Sequence, residues 1–134
     1  MAKNKKSETS KPKRNRRGAS ARRRGHAYET QVCKELNELG YDCVTSRSES
    51  KSTDDNKIDV IDKSNKLPCY IQLKRTQTTP QYFKIRSEST VDPTKFVIMW
   101  NKQVAKEVNI CSDGECVIMD KQLFYQLIKP YADS

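Results

Sequence analysis

The chain has 134 residues and carries 26 Lys and Arg against 17 Asp and Glu, a formal net charge of +9 at neutral pH. A length of this order favours one domain over two. Its longest apolar run, Phe96-Val97-Ile98-Met99-Trp100, falls far short of the ~18 residues a membrane span requires, which argues against a membrane partner.

The positive surplus sits at one end. Residues 1–24 hold eleven basic side chains and one acid, whereas residues 25–134 hold fifteen basic and sixteen acidic ones. The first segment is too poor in apolar surface to offset its ordering entropy, so a disordered polybasic arm is expected over residues 1–24. Its chemistry suits phosphate binding by counterion release. No apolar stretch of signal-peptide length follows the arm, and the cysteine count of five is odd. Both features point to a reducing cytoplasm.

From Gly25 to Gly40 apolar residues recur at helical spacing. Tyr28, Val32, Leu36 and Leu39 form one stripe, Glu29 borders it, and Gly40 suits the position just past a helix C-terminus. Tyr41 to Ser46 alternates as a strand does, and residues 48–56 form a loop without an apolar side chain. Ile58-Asp59-Val60-Ile61-Asp62 reads as a short strand. A polar turn over residues 63–66 then leads to a strand from Leu67 to Arg75, on which Tyr70, Gln72 and Lys74 share one face. Thr79-Pro80 resembles an N-cap and first helical residue, opening a helical turn that reaches Arg86. Lys95 to Asn101 is an apolar strand whose Phe96, Met99 and Trp100 belong to the core. Val108–Ile110 and Val117–Met119 flank Ser112-Asp113-Gly114-Glu115, an Asp-Gly hairpin signal that would set Cys111 opposite Cys116. A last helix runs from an Asp120 cap through Leu123, Phe124, Leu127 and Ile128 to a stop at Pro130. The element order is that of an α+β or mixed α/β domain over residues 25–134.

A disulfide between Cys111 and Cys116 suits the hairpin sterically but not a reducing compartment, so all five cysteines are expected as free thiols. The single histidine, His26, excludes sites that need two. Tyr82 and Phe83 can stack on nucleic acid or pack beneath the sheet, and residues 76–79 can donate to phosphate or simply form a loop. The sequence leaves both questions open.

One set of residues carries chemistry. If the strands bearing Asp59 and Gln72-Leu73-Lys74 lie side by side, Asp59, Gln72 and the Leu73 carbonyl can offer oxygens to one hard cation such as Mg²⁺. Lys74, on the face of Gln72, would then orient a water or offset charge on a phosphate. Glu29 can bring a further carboxylate to the same edge. This is a minimal arrangement for phosphodiester hydrolysis.

The order Glu29, Asp59, Gln72-Leu73-Lys74 resembles the PD-(D/E)XK nuclease superfamily. Within it, Gly25-His26-Ala27-Tyr28-Glu29, Gly40-Tyr41-Asp42-Cys43-Val44 and Arg47-Ser48-Glu49-Ser50 resemble the archaeal-type and phage Holliday junction resolvases. The resemblance covers roughly residues 25–100. It implies a restriction-endonuclease-like fold, a mixed central β-sheet flanked by helices, over residues 25–134. It implies Glu29, Asp59, Gln72 and Lys74 as catalytic residues, with Mg²⁺ (or Mn²⁺ as a substitute) on Asp59, Gln72 and Glu29. Arg47 and Ser50 match positions that engage the scissile phosphate, while Arg22, Arg23 and Arg24 of the arm would bind duplex backbone. The implied activity is a metal-dependent endonuclease that resolves branched DNA in recombination, working as a homodimer with no small-molecule substrate. A phage or mobile-element origin would place it in the host cytoplasm or the virion.

Two positions depart from the family pattern. Ile58 stands where a Pro is usual, and Gln72 stands where the usual residue is Glu, as in Mrr-like enzymes. The amide can still coordinate Mg²⁺ but removes one negative charge, which favours one ion over two. It also keeps open an alternative, a catalytically weak or inactive nuclease-fold protein that binds DNA or serves structurally in a virion. A basic RNA-binding accessory protein is a further rival, without an aromatic RNA-binding motif to support it.

Overall fold

The computed structural model describes residues 22–48 and 57–133. Helix α1 covers residues 22–38. Arg22, Arg23 and Arg24, expected in a disordered arm, therefore belong to this helix. Arginine is a good helix former, and the Arg24 carbonyl accepts a hydrogen bond from Arg75 Nη1 at 3.1 Å, which ties that end of the helix to the sheet. Residues 1–21, the rest of the arm, lie outside the described residues. Gly40, with φ +113°, closes the helix. Its N–H donates to the Asn37 carbonyl and that of Tyr41 donates to the Leu36 carbonyl, a Schellman closure that satisfies two terminal acceptors. The same closure turns Leu39 out to solvent, 75% exposed, although its spacing placed it on the apolar stripe.

Among the described residues, five strands form two sheets rather than one. Strand β1 (Cys43–Thr45) and strand β2 (Val60–Asp62) pair antiparallel, with Val44 opposite Ile61. Strands β3 (Tyr70–Thr76), β4 (Phe96–Lys106) and β5 (Asn109–Met119) form the second sheet in that order. Helix α2 (Tyr82–Ser87) connects β3 to β4, which run parallel, and β4 pairs antiparallel with β5. The cap of α2 is Gln81, without a side-chain bond, so Thr79 and Pro80 precede the helix instead of starting it. Helix α3 (Lys121–Ala132) follows β5, its Asp120 cap accepting from the Gln122 N–H at 2.7 Å.

Two predicted features are corrected. The hairpin turns at Glu107 and Val108, not at Asp113-Gly114. Asn101 faces Glu115 and Gln103 faces Ser112, so Asp113 and Gly114 together oppose Lys102 as a β-bulge. A glycine at positive φ serves a bulge as well as a turn, and Gly114 has φ +126°. Cys111 consequently faces Val104 and Cys116 faces Trp100, and all five cysteines are free thiols. Pro130 does not stop α3, which continues to Ala132. A proline in the final turn forfeits one hydrogen bond close to where the helix ends in any case.

Apolar packing lies on both faces of the three-stranded sheet. Tyr28, Val32 and Cys33 of α1 pack with Ile71, Leu73, Val97 and Leu123. Tyr82 of α2 packs with Ile58, Phe96 and Ile98. Phe96 is fully buried, while Met99 and Trp100 are partly buried against one cluster each. From α3 only Leu123 is buried; Phe124, Leu127, Ile128 and Tyr131 leave an apolar stripe exposed. No described helix is long and apolar enough to cross a membrane.

Candidate active site

Asp59 stands where the two sheets meet. Its carbonyl accepts from the Ser46 N–H at 2.9 Å, at the end of β1, and its own N–H donates to the Ile71 carbonyl of β3 at 2.9 Å. Its side chain completes the junction, Oδ2 accepting the Leu73 N–H at 2.7 Å. Leu73 thus meets Asp59 through its N–H. Ile58 and Val60 on either side are buried in opposite clusters, which fixes the backbone that presents the carboxylate.

Four of the residues picked out by the sequence meet electrostatically here. Burial pushes the Asp59 carboxyl up to about 6, the Leu73 N–H opposes that shift, the charge of Glu29 adds to it, and Lys74 and Arg47 pull it back. Glu29, on the inner border of α1, is only 12% exposed at its side chain. Arg47, on the 3₁₀ turn Ser46–Ser48 that follows β1, places Nη2 at 3.0 Å from both Glu29 oxygens. The sequence suggested phosphate as the partner of Arg47; in this state the partner is Glu29.

Gln72 and Lys74 leave β3 on the same face by the alternation of the strand. Gln72 is 9% exposed, and its Oε1 is buried with no hydrogen-bond partner among the described residues. Buried polar atoms are almost always paired, because an unmet acceptor costs about 1–3 kcal/mol. An orphaned amide oxygen is an acceptor waiting for a donor or a cation.

The available donors fit a hard cation. Asp59 Oδ1 takes no hydrogen bond among the described residues, Gln72 Oε1 is unmet, and Glu29 lies close enough to shift Asp59. Oxygen donors of this kind suit Mg²⁺ or Mn²⁺. No group of three His, Cys, Asp or Glu able to hold a metal exists among the described residues; a cation at this site would draw on the Gln72 amide as well as on Asp59 and Glu29.

Other candidates separate. Ser50 lies outside the described residues. Arg22 and Arg23 are exposed on α1, Arg24 is partly buried, and none of them reaches the Asp59 cluster through a described hydrogen bond or ion pair. Tyr82 packs beneath the sheet and donates its hydroxyl to the Phe96 carbonyl. Phe83 stays exposed under the Arg86 guanidinium, 4.9 Å from the ring centre. The Thr76 hydroxyl donates to the Thr78 carbonyl at 2.8 Å, which holds the loop after β3. Sequence reasoning missed the ion pair of Arg47 with Glu29, since nothing local to either residue announces a partner eighteen positions away. No protein-family model, curated protein or solved structure matches this chain.

Proposed function

We propose that the protein is a metal-dependent DNA endonuclease of the PD-(D/E)XK type, acting on branched DNA. The observation that carries this reading is Asp59, clamped to β3 by the Leu73 N–H and within electrostatic reach of Glu29 and Lys74, with the unmet oxygen of Gln72 on the same strand. The helix, antiparallel pair, third strand, connecting helix and parallel strand follow one another in an order consistent with a restriction-endonuclease-like fold.

In this reading Asp59, Gln72 and Glu29 would hold Mg²⁺ or Mn²⁺. When bound, the cation supplies polarisation of the scissile phosphate and of the attacking water. Lys74 orients the water and offsets charge that develops on the phosphate oxygens. Arg47 grips phosphate, and the basic residues 1–24 attract duplex backbone. A homodimer would deliver paired cuts, and the exposed stripe of Phe124, Leu127, Ile128 and Tyr131 on α3 supports association of two copies.

The test is cleavage of a synthetic four-way junction and its matched linear duplex, with Mg²⁺ or EDTA, beside Asp59→Ala and Lys74→Ala. Paired symmetric nicks on the junction, lost in EDTA and in both variants while binding persists, are expected. Cutting of both substrates would make the protein a general nuclease. Tight binding that never leads to cutting would favour the second reading, an inactive DNA-binding protein, which the neutral Gln72 and the capture of Glu29 by Arg47 support.

A further inference from the structure

Beyond the Asp59 cluster, a cleft of about 310 Å³ opens at the C-terminal end of β3, lined by Arg24, Arg75, Thr76, Gln77, Thr78 and Gln103. Two of these residues are arginines and none is acidic. Among the described residues neither arginine is ion-paired with an acid.

Arg75 is held in place. Its Nε donates to Gln103 Oε1 at 3.3 Å and its Nη1 to the Arg24 carbonyl at 3.1 Å. Gln103 in turn donates through Nε2 to Asn101 Oδ1 at 3.0 Å, and Ser112 Oγ donates to the same oxygen at 2.6 Å. Gln103 is 3% exposed and Asn101 5%. Burying two amides is costly unless each is paired, and here they are joined into a relay across the sheet that ends on Arg75. An arginine has five N–H donors. The relay and the Arg24 carbonyl engage two of those on Arg75, and among the described residues the other three remain for a ligand. A planar fork fixed in advance in a cleft without carboxylates matches the oxygens of a phosphate.

We propose that this cleft binds a phosphate group, supplied by the backbone of a nucleic-acid strand. Arg75 is the oriented fork, Arg24 adds a second charge, and Gln77 and Thr78 complete the lining. Arg75 follows Lys74 directly on β3 and so leaves the opposite face of the strand, which sets this cleft apart from the Asp59 cluster. The proposal does not rest on catalysis, because a protein that bound nucleic acid without cutting it would use the cleft in the same way.

The test uses the full chain, isotope-labelled, with the Arg75 Nε–H resonance followed by NMR while inorganic phosphate or a short DNA duplex is added. Both should move the resonance. In parallel, Arg24→Gln keeps the backbone carbonyl that holds Arg75, and its melting temperature should match wild type. It should bind duplex about fivefold more weakly, with the slope of log affinity on log salt shallower by about one. Arg75→Lys keeps the charge and loses the fork, so it should lose duplex affinity with little change in slope. A resonance moved by phosphate but not by duplex would overturn the nucleic-acid source and assign a small phosphate ligand. A resonance moved by neither, or an Arg24→Gln protein with unchanged affinity and slope, would overturn the site altogether.

Discussion

Arg47 Nη2 lies 3.0 Å from each carboxylate oxygen of Glu29, so a carboxylate proposed to hold the metal is already ion-paired. The pair neutralises a carboxylate that is otherwise buried beside Asp59, and its arginine is half exposed. Metal binding through Glu29 would have to loosen this contact. Arg47→Gln is therefore expected to bind Mn²⁺ about two- to fivefold more tightly, the range set by the ~0.5–1 kcal/mol that a partly exposed pair contributes. The same variant should bind DNA less well. Titration of Mn²⁺ followed by electron paramagnetic resonance reads the first effect directly. Weaker Mn²⁺ binding would mean that Arg47 braces the site instead of guarding it.

Asp59 links the site to stability. Its carboxyl is raised from an ordinary 3.8 to about 6, first by burial. Between those values the native state holds a proton that the unfolded chain has released. Stability measured in EDTA should therefore fall as pH rises through that window, and level off above it. Asp59→Asn removes the titration and still offers an oxygen to the Leu73 N–H. Near neutral pH it should be more stable than wild type, by at most about 3 kcal/mol at ~1.4 kcal/mol per pKa unit. Urea denaturation of both proteins at pH 4.5 and pH 7 checks this. Parallel pH dependence in the two would show that the carboxyl is not strained by burial.

Gln72 allows a separate test of whether its unmet oxygen is a functional cost. Gln72→Leu replaces a buried amide with an apolar side chain of similar size. The fold should gain about 1–2 kcal/mol, because removing an unsatisfied polar group relieves its desolvation cost. Mn²⁺ binding should be lost at the same time. A destabilised Gln72→Leu protein would mean that the amide has a structural partner and that the oxygen is not held for a ligand.

Much of the site follows from short-range pattern. The alternation along β3 places Gln72 with Lys74, and the spacing along α1 sets Glu29 at the border of its buried stripe. Partner choice does not follow in this way. The contact of Arg47 with Glu29 and the relay from Asn101 through Gln103 to Arg75 join residues on different elements. Asn101 ends the strand expected from Lys95 and Gln103 lies beyond it, yet both are buried. The hairpin was misplaced for another reason. Asp113-Gly114 announces positive φ, which turns and bulges share, whereas the true turn at Glu107-Val108 contains neither Gly nor Pro.

That distinction is testable at Gly114. A Cβ there would meet no atom within 4 Å, so Gly114→Ala is opposed by its backbone conformation and not by crowding. With φ at +126°, the substitution should cost about 1–3 kcal/mol in a chemical denaturation series. The bulge also separates the cysteines. Cys111 and Cys116 lie on one strand, opposite Val104 and Trp100, more than about 12 Å apart at ~3.3 Å per residue, where a disulfide needs less than ~7 Å. Mild oxidation of the folded protein should therefore leave both thiols open to alkylation. Mass spectrometry that found the two joined within one chain would restore the Asp-Gly hairpin and displace the bulge.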